Sequence, residues 1–407
     1  MYIPRHIEQV IKDSARTFPA IVVSGPRQVG KTTTLQCLVP DASYTTLDRL
    51  DTLGAALADP ERFLGMLPQP AIIDEVQYAP DLFRYLKIAI DSERGAKGKY
   101  YLTGSQRYHM MQGVDESLAG RVGLVEMLGL SLREILGDDN SKPFIPNEDY
   151  LMSRLQAATT EDFDVWEVIF RGDLPELYTD ETMDAVRYYE SYIDAYLRRD
   201  VRNIAQVGDL TVFNRFMALT ALQHGQQLNK ARLAAMVGVS VPTVTRWLSI
   251  LEASNIIYLL KPFHANTAKR LVKTPKLYFL NSGLAARLCD ISSAQQLESD
   301  RMAGVFYEGF VVAEVLKSHL NATGVLPTVY YYRDSNQNEI DLLIQKGIDL
   351  YPTEIKKASI AHQSDKKSFR QLDGLPDYRV NPGIVICNCH QPVTLGDGSW
   401  AYPVRMI

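Results

Sequence analysis

The stretch SGPRQVGKTT, at positions 24–33, constrains the fold of this chain more than any other part of its sequence. Gly25 and Gly30 flank four residues, a lysine and a threonine follow, and an apolar run at positions 21–23 comes before. Glycines allow a loop to turn its backbone N–H groups inward onto an anion at close range. The spacing is that of a phosphate-binding loop between a strand and a helix that begins near Lys31. The alternative, a glycine-rich turn without a ligand, is disfavoured because the strand and the helix can both be recognised on either side.

The phosphate loop predicts a site for a nucleotide and its Mg²⁺ ion. Lys31 places a charge on the outer phosphates, and the hydroxyl of Thr32 can ligate the metal. A second apolar strand, AIIDE at 71–75, ends in two acids. Asp74 can hold Mg²⁺ directly or through water, and Glu75 is placed to polarise an attacking water. The predicted nucleotide-binding residues form one unbroken segment: Gly25, Pro26, Arg27, Gln28, Val29, Gly30, Lys31, Thr32 and Thr33.

A third strand, at 99–105, also ends in polar residues. Thr103 or Ser105 at its tip is predicted to hydrogen-bond the terminal phosphate or the water. Arg121 follows on a short loop, in the segment SLAGR. One interpretation is that Arg121 stabilises charge on the transferring phosphoryl group, within its own subunit or across a subunit boundary. A surface salt bridge is the other interpretation, and the residues leave both open.

Four segments in this order resemble the prokaryotic AAA-type ATPases that carry a C-terminal domain of uncharacterised function: SGPRQVGKTT, AIIDEVQYAPDLFRYLK, YYLTGSQ and SLAGRV. YLRRDVRNIAQVGD and LYFLNSGLAARL resemble parts of that C-terminal domain, so the resemblance covers nearly the whole chain. It implies hydrolysis of ATP as well as binding. It assigns roles to six matching positions: Lys31 and Thr32 in the phosphate loop, Asp74 and Glu75 as the metal and water pair, Ser105 as a sensor, and Arg121 in the AGR motif.

The chain has 407 residues, more than one hydrophobic core usually holds, and it is predicted to form four α/β and helical units. Alternating strands and helices at 1–140 predict a parallel-sheet P-loop ATPase core. Helical spacing predicts a helical linker or lid at 141–222, and a helix-turn-helix pattern predicts a winged helix-turn-helix at 223–299. The α/β unit at 300–407 resembles the restriction-endonuclease-like fold. Four tyrosines in the helical unit are expected to pack a helix face rather than bind a ligand: Tyr188, Tyr189, Tyr192 and Tyr196.

A helix-turn-helix pattern supports the winged unit. A short helix reaches a turn at Gly238, and a second helix at 241–251 begins after the cap residue Ser240. Two strands around a basic loop then follow, as in a wing. The predicted DNA contacts are Thr243 and Arg246 on the second helix and Lys269, Arg270 and Lys273 on the wing. The alternative is that the unit serves as a protein–protein spacer.

The last unit contains a set of charged residues in the order helix, strand, strand. Glu308 lies on an amphipathic helix predicted at 306–320, Asp341 on one strand, and Glu354 and Lys356 on one face of the next. This order resembles the restriction-endonuclease-like nuclease fold. Two carboxylates can hold a divalent metal there, while the lysine orients water. The alternatives are a fold retained for binding without chemistry, or a plain charged surface.

Composition limits the partners and the compartment. With 43 basic and 48 acidic residues the net charge is −5, so a DNA contact requires a local basic patch. The four cysteines are scattered, which indicates a reducing compartment, and CNCH at 387–390 lacks a second ligand pair for zinc. No apolar run approaches the roughly 20 residues of a membrane span, and the N-terminus lacks a signal-peptide core. We therefore expect a cytoplasmic protein without a membrane partner.

Together these patterns predict a Mg²⁺-dependent ATPase whose hydrolysis is coupled to a C-terminal module that binds DNA and is a candidate nuclease. The alternative is an ATP-dependent switch that controls a protein–protein assembly and carries a catalytically inactive C-terminal domain. The corresponding partners are ATP, DNA, and a protein partner or further copies of the chain.

Overall fold

The computed structural model describes residues 1–93, 95–104, 118, 120–157, 163–180, 182–196, 210–264 and 274–407. Within these residues the strands form three sheets, of five, three and seven strands. The five-stranded sheet lies in the N-terminal unit, the three-stranded sheet in the middle, and the seven-stranded sheet at the C-terminal end.

The N-terminal sheet is wholly parallel, in the order β2-β3-β4-β1-β5. Its strands are β1 Ala20–Ser24, β2 Ser43–Thr46, β3 Ala71–Asp74, β4 Tyr100–Gly104 and β5 Val122–Glu126. All five residues of β1 are buried, as expected of a strand with neighbours on both sides and helices on both faces. The carboxyl ends of parallel strands meet at one edge, and that edge carries the phosphate loop. The predicted parallel-sheet core is confirmed.

Short helices connect and cover these strands. They are α1 Glu8–Thr17, α2 Lys31–Leu38, α3 Leu50–Ala58, α4 Pro60–Gly65, α5 Leu82–Ser92 and α6 Leu132–Ile135. Helix α2 begins at Lys31, where the sequence places it.

The middle of the chain is mostly helical. Its helices are α7 Glu148–Ala157, α8 Val165–Arg171, α9 Glu176–Thr179, α10 Ala185–Tyr196, α11 Leu210–Ala221, α12 Lys230–Val237, α13 Val241–Ala253, α14 Ser282–Leu288 and α15 Ala294–Ser299. Three antiparallel strands accompany them, in the order β6-β8-β7: β6 Gln226–Gln227, β7 Ile257–Leu260 and β8 Lys276–Phe279.

Helices α12 and α13 meet at an angle of 105°. Gly238 ends α12 with φ +83°, a left-handed conformation that glycine adopts without a side-chain penalty. The Ser240 side chain accepts a hydrogen bond from the Thr243 N–H and caps α13. The apolar face of α13 is buried: Val244, Trp247, Leu248 and Leu251. Among the described helices, none is long and apolar enough by itself to cross a bilayer, although α12 and α13 taken together pass that test of length and composition.

The C-terminal sheet is mixed, in the order β14-β15-β13-β11-β10-β9, with β12 paired to β11. Its strands are β9 Thr328–Arg333, β10 Glu339–Lys346, β11 Asp349–Lys356, β12 Arg379–Val380, β13 Ile384–Cys387, β14 Val393–Gly396 and β15 Ser399–Pro403. Strands β10 and β11 form an antiparallel hairpin, which brings Asp341 beside the strand that carries Glu354 and Lys356.

Helix α16, Ala303–Thr323, is the long helix of this C-terminal unit, and most of its 21 residues are buried. The prediction of an amphipathic helix is wrong in this respect, because its polar residues face other parts of the chain instead of solvent. Lys317 donates to the Leu130 carbonyl at 2.8 Å and lies 2.9 Å from the Asp173 carboxylate and 3.0 Å from that of Glu314. The other oxygen of Glu314 accepts the Leu132 N–H at 2.6 Å. Glu314, Lys317 and Asp173 therefore form a buried charged group, which joins α16 to the loop that follows β5.

Candidate nucleotide-binding site

The shape of the phosphate loop depends on its two glycines. Gly25 has φ +154°, and a Cβ there would lie 2.0 Å from the Met127 carbonyl oxygen, so no side chain fits. Gly30 has φ +91° immediately before α2, in the left-handed region. The loop therefore takes its curve from backbone angles and close packing that side chains would prevent.

Lys31 lies inside this curve and is nearly buried, with 7% of its surface exposed. Its ammonium donates to the carbonyls of Gly25 at 3.0 Å and Pro26 at 2.6 Å. These contacts hold the positive charge over the loop, next to the first N–H groups of α2. Charge and helix N-terminus together form an anion site.

Arg5 supports the loop from behind, a role that the sequence did not reveal. Its guanidinium donates to the carbonyls of Val29 and Leu128, each at 2.8 Å, and its Nε lies 3.1 Å from the Glu134 carboxylate. Burial raises the pKa of Glu134, but the Arg5 charge and hydrogen bonds from backbone N–H groups outweigh burial and lower the pKa overall. A single arginine close to the N-terminus gives no local pattern from which this contact could be predicted.

Three hydroxyl groups converge on Asp74 at the end of β3. Thr32 donates to Oδ1 at 2.9 Å, Tyr44 donates to Oδ2 at 3.1 Å, and the Thr103 hydroxyl donates to Oδ1 as well. Burial, followed by the charge of Asp74, raises the pKa of Tyr44 to about 12. Thr32 and Asp74 present hard oxygen atoms side by side, and this donor set fits Mg²⁺. Sequence reasoning missed Tyr44 because its strand was not recognised.

Glu75 follows Asp74 in a left-handed conformation, with φ 56°. The Gln77 amide donates to its carboxylate. Burial is the main cause that raises the pKa of Glu75, while hydrogen bonding to Gln77 and the charges of Arg27 and Lys31 act in the opposite direction. A carboxylate with a raised pKa beside the phosphate loop suits a general base.

A cavity of about 440 Å³ joins the phosphate loop to helix α10. Tyr188 and Tyr192 from α10 line it, whereas Tyr189 is packed in the interior with 1% of its surface exposed. Tyr192 is 7% exposed and packs in the core, and Tyr188 packs against that core, as expected of tyrosines on one helix face; both also border the cavity. The side chain of Tyr196 lies outside the described residues. The lining residues are Arg27, Gln28, Gly30, Lys31, Thr32, Thr33, Glu75, Tyr188, Ser191, Tyr192 and Ala195.

Ser105 and Arg121 are the other two residues that the sequence predicts to be catalytic. Ser105 lies outside the described residues. Arg121 forms an ion pair with Asp91 on α5, with Nε–Oδ1 at 2.7 Å and a second contact at 3.1 Å. This arrangement is the surface salt bridge that the sequence left open as the alternative, and Arg121 is not among the residues that line the cavity.

The four charged residues predicted at the C-terminal end are neighbours in the structure. Asp341 accepts the Ile355 N–H at 2.9 Å, and the Lys356 ammonium lies 2.6 Å from the Glu354 carboxylate. Burial raises the pKa of both Glu308 and Glu354, and the charge of Asp341 raises them further. Four side chains from one helix and two strands therefore share one electrostatic environment.

A lysine from the middle of the chain neutralises this acidic cluster. Lys276 on β8 places its ammonium 2.8 Å from Glu308 and 2.5 Å from Glu339, and Tyr278 on the same face of β8 donates to Glu308 at 2.5 Å. Among the described residues no three His, Cys, Asp or Glu side chains are arranged to hold a metal ion. Lys276 thus brings a positive charge to the position where the predicted nuclease site would need a metal ion. Lys276 precedes Glu308 by 32 residues, so no sequence spacing could have revealed this contact.

The predicted DNA contacts are only partly described. Arg246 on α13 is exposed, whereas Thr243 is half-buried with its hydroxyl 2.8 Å from that of Ser240. Lys269, Arg270 and Lys273 lie outside the described residues.

The fold and the site define the class of this protein. Residues 17–136 match the AAA domain family, so the N-terminal unit is an AAA-type P-loop ATPase domain. Residues 162–295 and 303–407 match two domains of unknown function, DUF8612 and DUF4143.

The chain belongs to the same family as an uncharacterised protein of Mycobacterium tuberculosis, with which it is 30% identical over 344 residues, or 84% of this chain and 71% of the relative. An uncharacterised protein of Mycobacterium bovis is similar to the same extent. Among solved structures, a Walker-type ATPase of Pyrococcus abyssi is 14% identical with a TM-score of 0.44, over 69% of this chain and 94% of that chain. The Holliday junction branch migration motor RuvB of Thermotoga maritima is 15% identical with a TM-score of 0.29, over 62% and 88%.

Proposed function

We propose that this protein is a Mg²⁺-dependent ATPase of the cytoplasm, and that ATP binding and hydrolysis control a C-terminal part that binds DNA. The observation that carries the first half is one cavity that contains the phosphate loop, Lys31, Thr32 beside Asp74, and Glu75. Membership of the AAA domain family supports ATP binding and hydrolysis.

Each residue of the site has a defined task. The loop N–H groups and Lys31 bind the phosphates, for which Lys31 exchanges its carbonyl partners for phosphate oxygens. Mg²⁺ bound with ATP would offset the negative charge of the outer phosphates next to Thr32 and Asp74. Thr103 and Tyr44 orient the Asp74 carboxylate through their hydrogen bonds. Glu75 accepts the proton of the attacking water.

Two substitutions test the ATPase. Lys31→Ala should abolish ATP binding, because the buried ammonium is the main charge of the loop. Glu75→Gln should bind ATP but not hydrolyse it, because the amide cannot accept the proton. Lys87→Ala, at an exposed position of α5, is the matched control. The measurements are ATP affinity and steady-state phosphate release, and unchanged turnover of the Lys31→Ala protein would refute the assignment.

The DNA half of the proposal rests on α12, α13 and the β7–β8 pair that follows them. The 105° bend and the buried apolar face of α13 suit a helix-turn-helix, and Arg246 is exposed on that helix. Arg246→Ala should weaken binding to duplex DNA and reduce the salt dependence by about one unit of slope. Arg16→Ala, which removes an exposed arginine from α1, is the control. Equal binding by the two variants would reject this surface.

Lys276 favours a second candidate function, an ATP-dependent switch for protein assembly with an inactive C-terminal domain. Its ammonium lies between Glu308 and Glu339 and supplies the positive charge that a divalent metal would otherwise bring to Glu308, and one oxygen of Glu308 receives both Lys276 and the Tyr278 hydroxyl. Metal-dependent nicking of DNA by the wild-type protein, lost in Asp341→Ala, would instead show that the predicted residues Glu308, Asp341, Glu354 and Lys356 form a nuclease site. ATP-dependent oligomerisation without DNA binding at low salt would favour the switch.

A further inference from the structure

We propose that helix α10 is the nucleoside-binding wall of the ATP site, and that Tyr188 and Tyr192 contact the base and ribose. This inference rests on the proposed ATPase function. It adds a part of the site that neither the phosphate-loop motif nor the AAA domain match identifies, since residues 185–196 lie beyond the matched segment 17–136.

The lining residues of α10 form one face of the helix. Tyr188, Ser191, Tyr192 and Ala195 are spaced at i, i+3, i+4 and i+7, which places them side by side along the helix. The cavity therefore has an entire helix face as its wall opposite the phosphate loop.

The two walls differ in chemistry. The phosphate-loop wall carries the cations Lys31 and Arg27, whereas the four lining residues of α10 carry no charge and offer two aromatic rings and a serine hydroxyl. Phosphates bind cations and backbone N–H groups. A base stacks on aromatic rings, and a ribose hydroxyl finds partners in hydroxyl groups. A nucleotide with its phosphates on the loop would consequently place its uncharged end against α10.

Tyr188 also connects the two walls. Its hydroxyl lies 3.1 Å from the Gln28 amide oxygen in the phosphate loop and 3.2 Å from the Glu176 carboxylate. The protein's own contacts therefore hold the ring close to the phosphate site. Such pre-organisation reduces the ordering cost of binding.

Tyr189 is the positioning residue for this wall. Its ring stands nearly perpendicular to those of Tyr188 and Tyr192, at centroid distances of 5.9 and 6.4 Å. Its hydroxyl lies 3.0 Å from the Asn281 side-chain oxygen and 3.1 Å from the Arg171 carbonyl. A Cβ at Gly283 would lie 2.6 Å from the ring, so Tyr189 occupies space that a glycine leaves. Helix α10 is thereby fixed against α14.

The test compares ATP with inorganic tripolyphosphate, which has the phosphates but no nucleoside. Both are measured with Mg²⁺ on the full chain, by calorimetry or by competition. Tyr188→Ala and Tyr192→Ala should each weaken ATP binding by about tenfold, the value of one base–aromatic contact, and leave tripolyphosphate binding unchanged. Tyr188→Phe, which keeps the ring, should lose less. An equal loss for both ligands, or no loss for ATP, would overturn the proposal.

Ser191→Trp tests the proposal even if the tyrosine variants fail to fold. Ser191 is exposed on the cavity face, so a larger side chain there does not disturb the interior. It should weaken ATP more than tripolyphosphate, and equal effects would again count against the proposal. A wild-type protein that binds neither ligand refutes the ATPase function itself. A wild-type protein that binds both ligands, with tyrosine variants that do not discriminate between them, refutes only the nucleoside wall.

Discussion

Replacement of Lys276 by methionine should destabilise the protein strongly and in a pH-dependent manner. The lysine side chain is only 5% exposed, and its ammonium is the shared partner of Glu308 and Glu339. Methionine keeps much of the length and apolar volume of the side chain but removes the charge. The variant therefore isolates the electrostatic contribution from the packing contribution.

The magnitude follows from what each carboxylate retains. Glu339 keeps an ion pair with Arg333 at 3.3 Å, and its side chain is 26% exposed. The substitution of Lys276 therefore costs little free energy at Glu339. Among the described residues, Glu308 then keeps the Tyr278 hydroxyl as its hydrogen-bond partner and loses the cation that lies against it. Removal of one partner from a buried ion pair costs about 3–5 kcal/mol, and we expect about 3 kcal/mol at pH 8 because the tyrosine remains.

The sign of the pH dependence follows from the pKa of Glu308. Burial and the charge of Asp341 already raise this pKa, and Lys276 lowers it, so the substitution raises it further. When the pKa of a carboxyl group is higher in the folded than in the unfolded state, the protein loses stability as pH rises from the unfolded-state pKa to the folded-state pKa. The deficit of the Lys276→Met protein should therefore be larger at pH 8 than at pH 5.5.

The assay is urea unfolding at both pH values, followed by tryptophan fluorescence. Lys346→Met, at an exposed position of β10, is the control. In the absence of nucleotide, Mn²⁺ should raise the unfolding midpoint of the Lys276→Met protein more than that of the wild type, because Glu308 and its neighbours lose their built-in cation. A deficit that is equal at both pH values, together with no response to Mn²⁺, would refute the reasoning.

Three further predictions follow from burial and packing. Glu75 has a raised pKa, so kcat for ATP hydrolysis should fall on acidification with a midpoint above the usual value of about 4.5, and a lower midpoint in the pH–rate profile would contradict this. Gly283→Ala should cost about 1–3 kcal/mol by crowding Tyr189, whereas Gly304→Ala, with open space around it, should not; thermal melts compare the two. Burial lowers the pKa of His224 to about 4. As pH falls from 6.5 to 4, protonation of His224 in the unfolded state should therefore remove about 3 kcal/mol from the free energy of unfolding. His224→Gln should reduce this dependence of the free energy of unfolding on pH, as measured by acid unfolding.

The sequence predicted the phosphate site because its determinants are local. The glycine spacing before Lys31 and the strand that ends in Asp74 each lie within ten residues, and parallel strands bring their carboxyl ends together. The DNA contacts, the domain boundaries and the role of Arg121 stay predictions.

Contacts between distant segments could not be predicted in this way. Arg5 behind the loop, Tyr44 beside Asp74 and Lys276 beside Glu308 are each set by how whole elements pack. The tyrosines of α10 show the same limit, since helical spacing indicates a shared face but not what the face meets. Helix α16 was misjudged because its polar side chains bind other buried groups rather than water.

The buried charged group on α16 decides how the protein can be dissected. A fragment that begins at residue 300 would expose Glu314 and Lys317 and deprive them of Asp173, Leu130 and Leu132. Much of the apolar surface of α16 would face water at the same time. Work on the C-terminal half should therefore silence the ATPase by point substitution and keep the chain whole.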